Sequence, residues 1–252
     1  MQVTFPTLAE RPDLGPRARE LGAVWPPFMH HDSVANRYFP RVRSELAHVQ
    51  FFALDAERQE VAGEANTAPA FWDGDVQTLS DEGVDWVLEA AFSDGPNAPN
   101  VLCALQIVIS SDYQGHGLSL RMIGRMAELA GLHGFECLIA PVRPSLKHRY
   151  PLVPIDRYVE WRRADGSHLD PWIRTHERFG GEILRIAPRS MTISGTTAEW
   201  QEWTGMVFPE SGLYPIPGAL VPVEIDLEAD RGLYVEPNVW MRHRLRAATR
   251  AG

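Results

Sequence analysis

The pattern of apolar and polar positions is clearest between residues 101 and 142 of this 252-residue chain. Residues 101–110 (VLCALQIVIS) form a continuous apolar run bounded by turn residues, which is typical of a buried strand. Residues 118–131 carry apolar side chains at helical spacing, and residues 135–142 form a second buried strand. The segment therefore predicts a strand, a glycine turn, a helix and a strand, with the two strands forming a parallel or locally splayed pair.

Weaker patterns predict further elements on both sides of this unit. These elements are a hairpin at 47–54 and 61–65, a helix from Asp32 interrupted at Pro40, helices at 84–91 and 170–180, and a strand at 183–193 interrupted at Pro188. The tail, to about residue 242, predicts strands and turns with little helix. Strands and helices that alternate in this way indicate a mixed α/β fold in a single domain over residues 1–252.

The residues from Gln114 to Ser119 join the end of a buried strand to the start of a helix. A helix start presents unpaired backbone N–H groups and the positive end of the helix dipole, and glycines let an anion approach them. The turn therefore suits a pyrophosphate, although Gly-x-Gly also occurs simply to make a tight turn. A dinucleotide fingerprint needs a third glycine where Leu120 stands, and the Gly-Lys-Ser/Thr of a Walker motif does not follow.

Ile109, followed after four residues by Gln114-Gly-His-Gly117-Leu-Ser119, resembles the first signature of the GNAT superfamily of N-acyltransferases. That signature is Gln/Arg-x-x-Gly-x-Gly/Ala between a strand and a long helix, and only Ser119 departs from it. The resemblance implies an α/β (α+β) fold with a GNAT-like mixed central sheet flanked by helices. Its core would span about 45–195, with an N-terminal extension and a C-terminal β-rich addition at about 196–245.

The resemblance also implies a donor, which is acetyl-CoA or another acyl-CoA. The residues that would bind it are Ile107, Val108 and Ile109 along the pantetheine arm, and Gln114, Gly115, His116, Gly117, Leu118 and Ser119 around the pyrophosphate.

A later segment, Thr175-His-Glu-Arg-Phe-Gly-Gly181, resembles the second signature of the family, in which a Tyr often protonates the leaving thiolate. His176 stands at the place of that Tyr, and histidine can act as a general acid near neutral pH. A donor that only positions the substrate is the alternative. Glu64 is the carboxylate best placed to be a general base, although a structural Glu is the more frequent explanation. The blocks after residue 143 also resemble those of actinobacterial GNAT-like proteins.

The function implied by the resemblance is transfer of an acyl group from CoA, or from the phosphopantetheine of an acyl carrier protein, to the amine of a small molecule. Two alternatives stay open. One is a non-catalytic CoA-binding module, and the other is hydrolysis, decarboxylation or aminoacyl transfer on the same fold. Asp156, Glu160 and Asp170 are candidates for an acidic lining around the amine, although surface charge is the more frequent explanation for each of them.

Composition and charge narrow the range of partners. A net charge of −9 disfavours nucleic acid, and no apolar run approaches the roughly 20 residues of a membrane helix. The N-terminus lacks the pattern of a secretory signal, so a cytoplasmic location is predicted. His30-His31-Asp32 lacks partners at ligand spacing, so no metal is predicted. Cys103 and Cys137 lie in apolar runs and are expected to be buried thiols. A homodimer is compatible with the sequence.

Overall fold

The computed structural model describes residues 2–18, 21 and 25–245, and a nine-stranded sheet lies at its centre. The strands are β1 (Val3–Thr4), β2 (Phe51–Asp55), β3 (Glu60–Ala70), β4 (Val101–Ile109), β5 (Cys137–Val142), β6 (Glu182–Gly195), β7 (Gly212–Tyr214), β8 (Val223–Asp226) and β9 (Arg231–Arg244). Strands β1 to β5 are neighbours in chain order. β5 and β8 then pair with opposite ends of β9, and β6 pairs with β9 along most of its length. Among the strands of the described ranges, only β4 and β5 run parallel to each other.

Helices cover both faces of this sheet. In the described part of the chain they are α1 (Gly15–Ala18), α2 (Ser33–Glu45), α3 (Gly83–Ala90), α4 (Leu118–Leu132), α5 (Ile155–Tyr158), α6 (Pro171–Arg178) and α7 (Thr197–Thr204). α4 buries Met122, Ile123 and Met126 against one face, whereas α2 and α3 bury Val42 and Leu88 on the other. The mixed sheet with flanking helices that the sequence predicts is confirmed.

The parallel pair separates soon after it begins. β4 and β5 pair only from Val101 to Cys103 and from Cys137 to Ile139. Beyond that point β4 follows β3 as far as Ile109, while β5 follows β9 as far as Val142. Because each strand stays with its other neighbour, an opening forms between them. The backbone of the second half of β4 faces this opening without a strand partner on that side.

Two elements that were predicted to be interrupted at a proline continue through it. α2 continues through Pro40, which lacks only the N–H that would bond to the carbonyl of Asn36. β6 continues through Pro188, where its register with β9 shifts between Ala187 and Met191. A bulge of this kind places the proline where the ladder needs no N–H donor.

The C-terminal region departs most from its prediction. α7 lies where strands and turns were expected, and it begins with a capping box formed by Thr196 and Glu199. The final strand, β9, was assigned to a peripheral addition, but it lies in the middle of the sheet between β5 and β6. The region after residue 195 thus contributes β9 to the middle of the sheet and β7 and β8 to one edge.

None of the helices in the described ranges combines the length and the apolar character needed to cross a membrane.

Candidate active site

A cavity of about 1440 Å³ extends through the opening between β4 and β5. At one end it is lined by Gln114 and Gly117, which lie at the start of α4. At the other end it is lined by Met29, Asn36 and Asn238, on the side of the sheet that α2 covers. A space that crosses a sheet in this way lets two ligands meet from its two ends. We call them the donor end and the acceptor end.

The donor end is a turn of exposed backbone. Gly115 and Gly117 have φ angles of 80° and 73°, a region that favours glycine, and a Cβ at either position would meet no atom within 4 Å. In the described structure, the backbone N–H groups of residues 115–119 donate to no other backbone group. Consecutive free N–H groups at the start of a 15-residue helix make a cradle for a phosphate.

Strand β4 forms the wall that leads away from this turn. Ile107 and Ile109 line the cavity, whereas Val108 is buried on the other face, opposite Glu64. The pairing with β3 skips Leu105, and this bulge brings Leu105 and Gln106 to the cavity wall together.

Seven of the nine predicted donor-binding residues therefore line one space, and Val108 and His116 do not. The seven are Ile107, Ile109, Gln114, Gly115, Gly117, Leu118 and Ser119. His116 is exposed at the outside of the turn.

His176 lies on the wall of the same cavity, on α6. Its Nδ1 is 2.8 Å from Nε2 of His243, and its ring stacks edge-on against Trp172. Burial, together with the neighbouring His243, holds the pKa of His176 well below 6.5, and burial lowers the pKa of His243 to about 4. Both rings are therefore neutral near pH 7.

The tautomers of this histidine pair follow from its partners. His243 Nδ1 is buried and has no hydrogen-bond partner in the described structure. Placing the His243 proton on Nε2 avoids an orphaned buried N–H, which is rare in proteins. His176 Nδ1 then accepts that proton's hydrogen bond, and His176 Nε2 keeps an N–H. His176 therefore offers a neutral donor instead of an imidazolium.

Glu64 does not line the cavity. It is 2% exposed on β3, and its carboxylate accepts a hydrogen bond of 2.7 Å from Arg43, whose side chain lines the cavity instead. Burial raises the pKa of Glu64, and Arg43 opposes that shift. The role of Glu64 as a general base stays a prediction, and these contacts favour a structural ion pair.

The acceptor end is built from side chains. Arg143 lines it, donates to both oxygens of the buried Glu236 at 2.9 and 3.0 Å, and donates to the carbonyl of Gly218 at 2.8 Å. Asn238 lines it from β9 and donates to the hydroxyl of Ser190 at 2.9 Å. None of these residues belongs to a local motif, and the sequence analysis did not identify them.

The acidic residues suggested for this end lie elsewhere. Asp156 and Glu160 are exposed, and Asp170 is buried outside the cavity. Asp170 caps α6 by accepting from the N–H of Trp172 at 2.9 Å, and it also accepts from the hydroxyl of Tyr158 at 2.9 Å. Its role is to fix the loop before α6, so the predicted acidic lining is wrong for all three residues.

Three comparisons with known proteins place this architecture. No protein-family model matches the chain. The GNAT-like loading domain of CurA from Lyngbya majuscula has a TM-score of 0.58 at 14% identity, covering 97% of this chain and 98% of that one. The GNAT-like decarboxylase GphF, solved with isobutyryl-CoA, has a TM-score of 0.55 at 13% identity, covering 98% and 100%. These likenesses show the fold.

One curated relative is similar to this chain in sequence. The arginine N-acetyltransferase avaD of Aspergillus versicolor is 32% identical over 273 residues, which cover 94% of this chain and 92% of that protein. The chain belongs to the GNAT superfamily. It is an acyltransferase that moves an acyl group from CoA to an amine, as the two signature segments imply.

The donor end of this GNAT protein fits an acyl-CoA. Its free N–H groups suit the pyrophosphate, and the unpaired half of β4 offers backbone groups to the pantetheine arm. Over the described residues, no group of three or more His, Cys, Asp or Glu side chains is placed to hold a metal ion. The narrower resemblance to actinobacterial GNAT-like proteins stays a prediction.

Proposed function

We propose that this GNAT protein is an N-acetyltransferase that transfers the acetyl group of acetyl-CoA to arginine or to a related guanidino compound. The observation that carries the proposal is the single cavity that joins the phosphate cradle at the start of α4 to a polar end beyond the sheet. The arginine N-acetyltransferase avaD, 32% identical along nearly the whole chain, supports this choice of acceptor.

The reaction would take place where the cavity crosses the sheet. The neutral amine attacks the thioester carbonyl carbon, a C–N bond forms, the C–S bond breaks, and the proton lost by the amine passes to water. The bulged backbone of β4 at Leu105 and Gln106 lies on the wall there, and N–H groups aimed at the carbonyl oxygen would stabilise the developing negative charge. The protein's main contribution is to hold the two reactants in line.

His176 would assist the departing sulfur. Its Nε2–H is the donor left free by the bond to His243, and a hydrogen bond to the thiolate stabilises the product side of the transition state. A thiol has a pKa near 8.5, so the thiolate leaves readily and takes its proton afterwards. The neutral state of His176 makes this a hydrogen-bonding role, with water as the final proton source.

The donor is proposed to be free acetyl-CoA. A phosphopantetheine arm on a carrier protein is the second candidate, because the GNAT-like domain of CurA is described as a loading domain and shares the fold. The cytoplasmic location and the homodimer stay predictions.

The test is a discontinuous assay of thiol release with acetyl-CoA and a panel of amines that includes arginine, agmatine, lysine and a neutral alkylamine. We expect release of CoA that depends on arginine or agmatine, with an acetylated product identified by mass spectrometry. Release of CoA at the same rate without any amine would favour a thioesterase instead. Activity only with an acetylated carrier protein would replace the free donor.

A further inference from the structure

The permanently charged side chains that line the cavity are arginines. They are Arg43 and Arg143, and no Asp or Glu lines the cavity in the part of the chain that the structure describes. A wall that carries cations and no anion is complementary to an anionic ligand. Because the free N–H groups at the start of α4 already suit the pyrophosphate of the donor, arginines at the acceptor end indicate a second anion, on the acceptor itself.

Arg143 is held in place by three hydrogen bonds. Its Nε donates to both oxygens of Glu236 at 2.9 and 3.0 Å, and its Nη2 donates to the carbonyl of Gly218 at 2.8 Å. Glu236 is itself fully buried, and it also accepts from the hydroxyl of Tyr234 at 2.6 Å. A guanidinium that the protein already holds in one orientation loses little conformational entropy when a ligand binds to it.

The remaining nitrogen of Arg143 is open to a ligand. A guanidinium has five N–H donors, and those on Nη1 make no hydrogen bond in the described structure. Nη1 is also absent from the set of fully buried polar atoms without a partner, and the side chain is 17% exposed. Since Arg143 lines the cavity, a ligand at the acceptor end can contact this nitrogen directly.

Arg43 adds a second guanidinium to the same end. Its Nη2 donates to Glu64 at 2.7 Å, whereas its Nε and Nη1 make no hydrogen bond within the described ranges. Both arginines are thus paired with a buried carboxylate that does not line the cavity, and both keep N–H donors for a ligand. Of the two, Arg143 is the more buried and the more firmly held, so it is better suited to fix the position of a substrate.

We infer that Arg143 binds the carboxylate of the acceptor, and that the acceptor is an α-amino acid instead of a decarboxylated amine. The inference rests on the proposed function and selects arginine over agmatine among the guanidino compounds. Hydrogen bonds between a guanidinium and a carboxylate are charge-assisted and therefore strong and directional. The α-amine is bonded to the same carbon as the carboxylate, so this contact would also fix the position of the nitrogen that attacks the thioester.

The test is calorimetric titration of L-arginine and agmatine in the presence of CoA. Agmatine keeps the amine and the guanidinium of arginine and lacks only the carboxylate. Wild type should bind arginine at least about tenfold more tightly than agmatine, since a hydrogen bond to a charged group is worth about that factor.

Two variants test whether Arg143 causes this preference. Arg143→Gln combined with Glu236→Gln removes both charges and leaves no unpaired buried carboxylate. It should weaken arginine binding by about 10- to 100-fold and change agmatine binding by less than about threefold. Arg143→Lys is the milder change, because it keeps the charge beside Glu236 and removes the planar fork, and it should lower the preference for arginine by about three- to tenfold.

Arg185→Gln combined with Asp81→Asn is the matched control. Arg185 also donates to a carboxylate, that of Asp81, and to a backbone carbonyl, that of Leu79 at 2.8 Å, but it does not line the cavity. The control should leave both affinities unchanged. A rise in melting temperature on addition of CoA would show that each variant is folded with an intact donor end.

The outcomes separate the carboxylate site from the proposed function. Acetylation of arginine without any preference over agmatine in binding, or a preference that the Arg143 variants retain, would overturn the carboxylate site and leave the function standing. A preference that the variants lose, without acetylation of either ligand, would support the site and overturn the function. Absence of both binding and acetylation for the two ligands would overturn both.

Discussion

The donor end and the acceptor end of the cavity are built in different ways. The donor end is a stretch of backbone from one continuous segment, Gln114 to Ser119, at the start of α4. The acceptor end consists of side chains from α2, α3 and β9, among them Asn36, Val84 and Asn238, which come from both halves of the chain. A site made of backbone at a helix start leaves a local sequence signature, whereas a site made of distant side chains exists only once the sheet has formed.

The two ends also differ in how they treat charge. The free N–H groups at the donor end are neutral and solvated before a ligand arrives, so their lack of a protein partner costs little folding free energy. Asp32 and Asp85, which lie near the acceptor end without lining the cavity, are buried, and this burial raises the pKa of both carboxyls. Substitutions at the donor end should therefore change binding alone, whereas a substitution of Asp85 should change stability.

The largest effect is expected at the donor end. Gly117→Trp should abolish the rise in melting temperature that CoA gives wild type, because the indole would fill the open space in front of the free N–H groups. The measurement is a thermal melt with and without millimolar CoA.

Gly134→Trp is its control. Gly134 follows the other end of α4, has a φ of 76° and also faces open space, so it shares the backbone strain without touching the donor end. The control should melt lower than wild type and still respond to CoA. A CoA response that survives in Gly117→Trp would move the pyrophosphate away from this turn.

The fold shows the same contrast between features that neighbouring residues determine and features that depend on residues far apart in the chain. The buried face of α4 and the splayed strands β4 and β5 could be predicted, because apolar spacing and turn residues are local. The central position of β9 could not, since nothing in residues 231–244 specifies that they pair with both β5 and β6. The start of α7 could have been predicted, because Thr196 and Glu199 have the spacing of a capping box in the sequence.

Asp85 shows what apolar spacing alone misses. The spacing of Trp86, Val87, Ala90 and Ala91 predicts one buried face for the helix at 84–91. The structure confirms that Val87 is buried, and it also buries Asp85, because α3 packs against β6 as well as β3 and α2. Apolar periodicity cannot reveal a buried carboxylate.

A smaller effect is expected where the two ends meet. His176→Ala should lower kcat by roughly tenfold, at the low end for proton donors, and leave KM for acetyl-CoA nearly unchanged. Because the pKa of His176 is far below 6.5, wild type should show no inflection from this residue between pH 6 and 9. His176→Gln, which keeps a neutral N–H donor, should retain more activity than the alanine variant. Full kcat in His176→Ala would reduce His176 to a structural partner of His243.

The last expected effect is on the stability of the protein without ligand. In the folded protein the pKa of Asp85 is about 8, whereas its ordinary value is 3.8, so the folded state binds the extra proton between these values. Stability from this group is therefore present below about pH 4 and is lost as pH rises towards 8. Asp85→Asn keeps the bond to Thr192 and removes the titration, so it should be more stable than wild type by about 1–3 kcal/mol at pH 8. Urea melts at pH 5 and pH 8 should show the gain growing with pH. Asp226→Asn is the control, because Asp226 lies at the end of β8 and accepts from two backbone N–H groups, and it should show no such growth. A pH-independent difference would mean that Asp85 is already neutralised by a group of the protein itself.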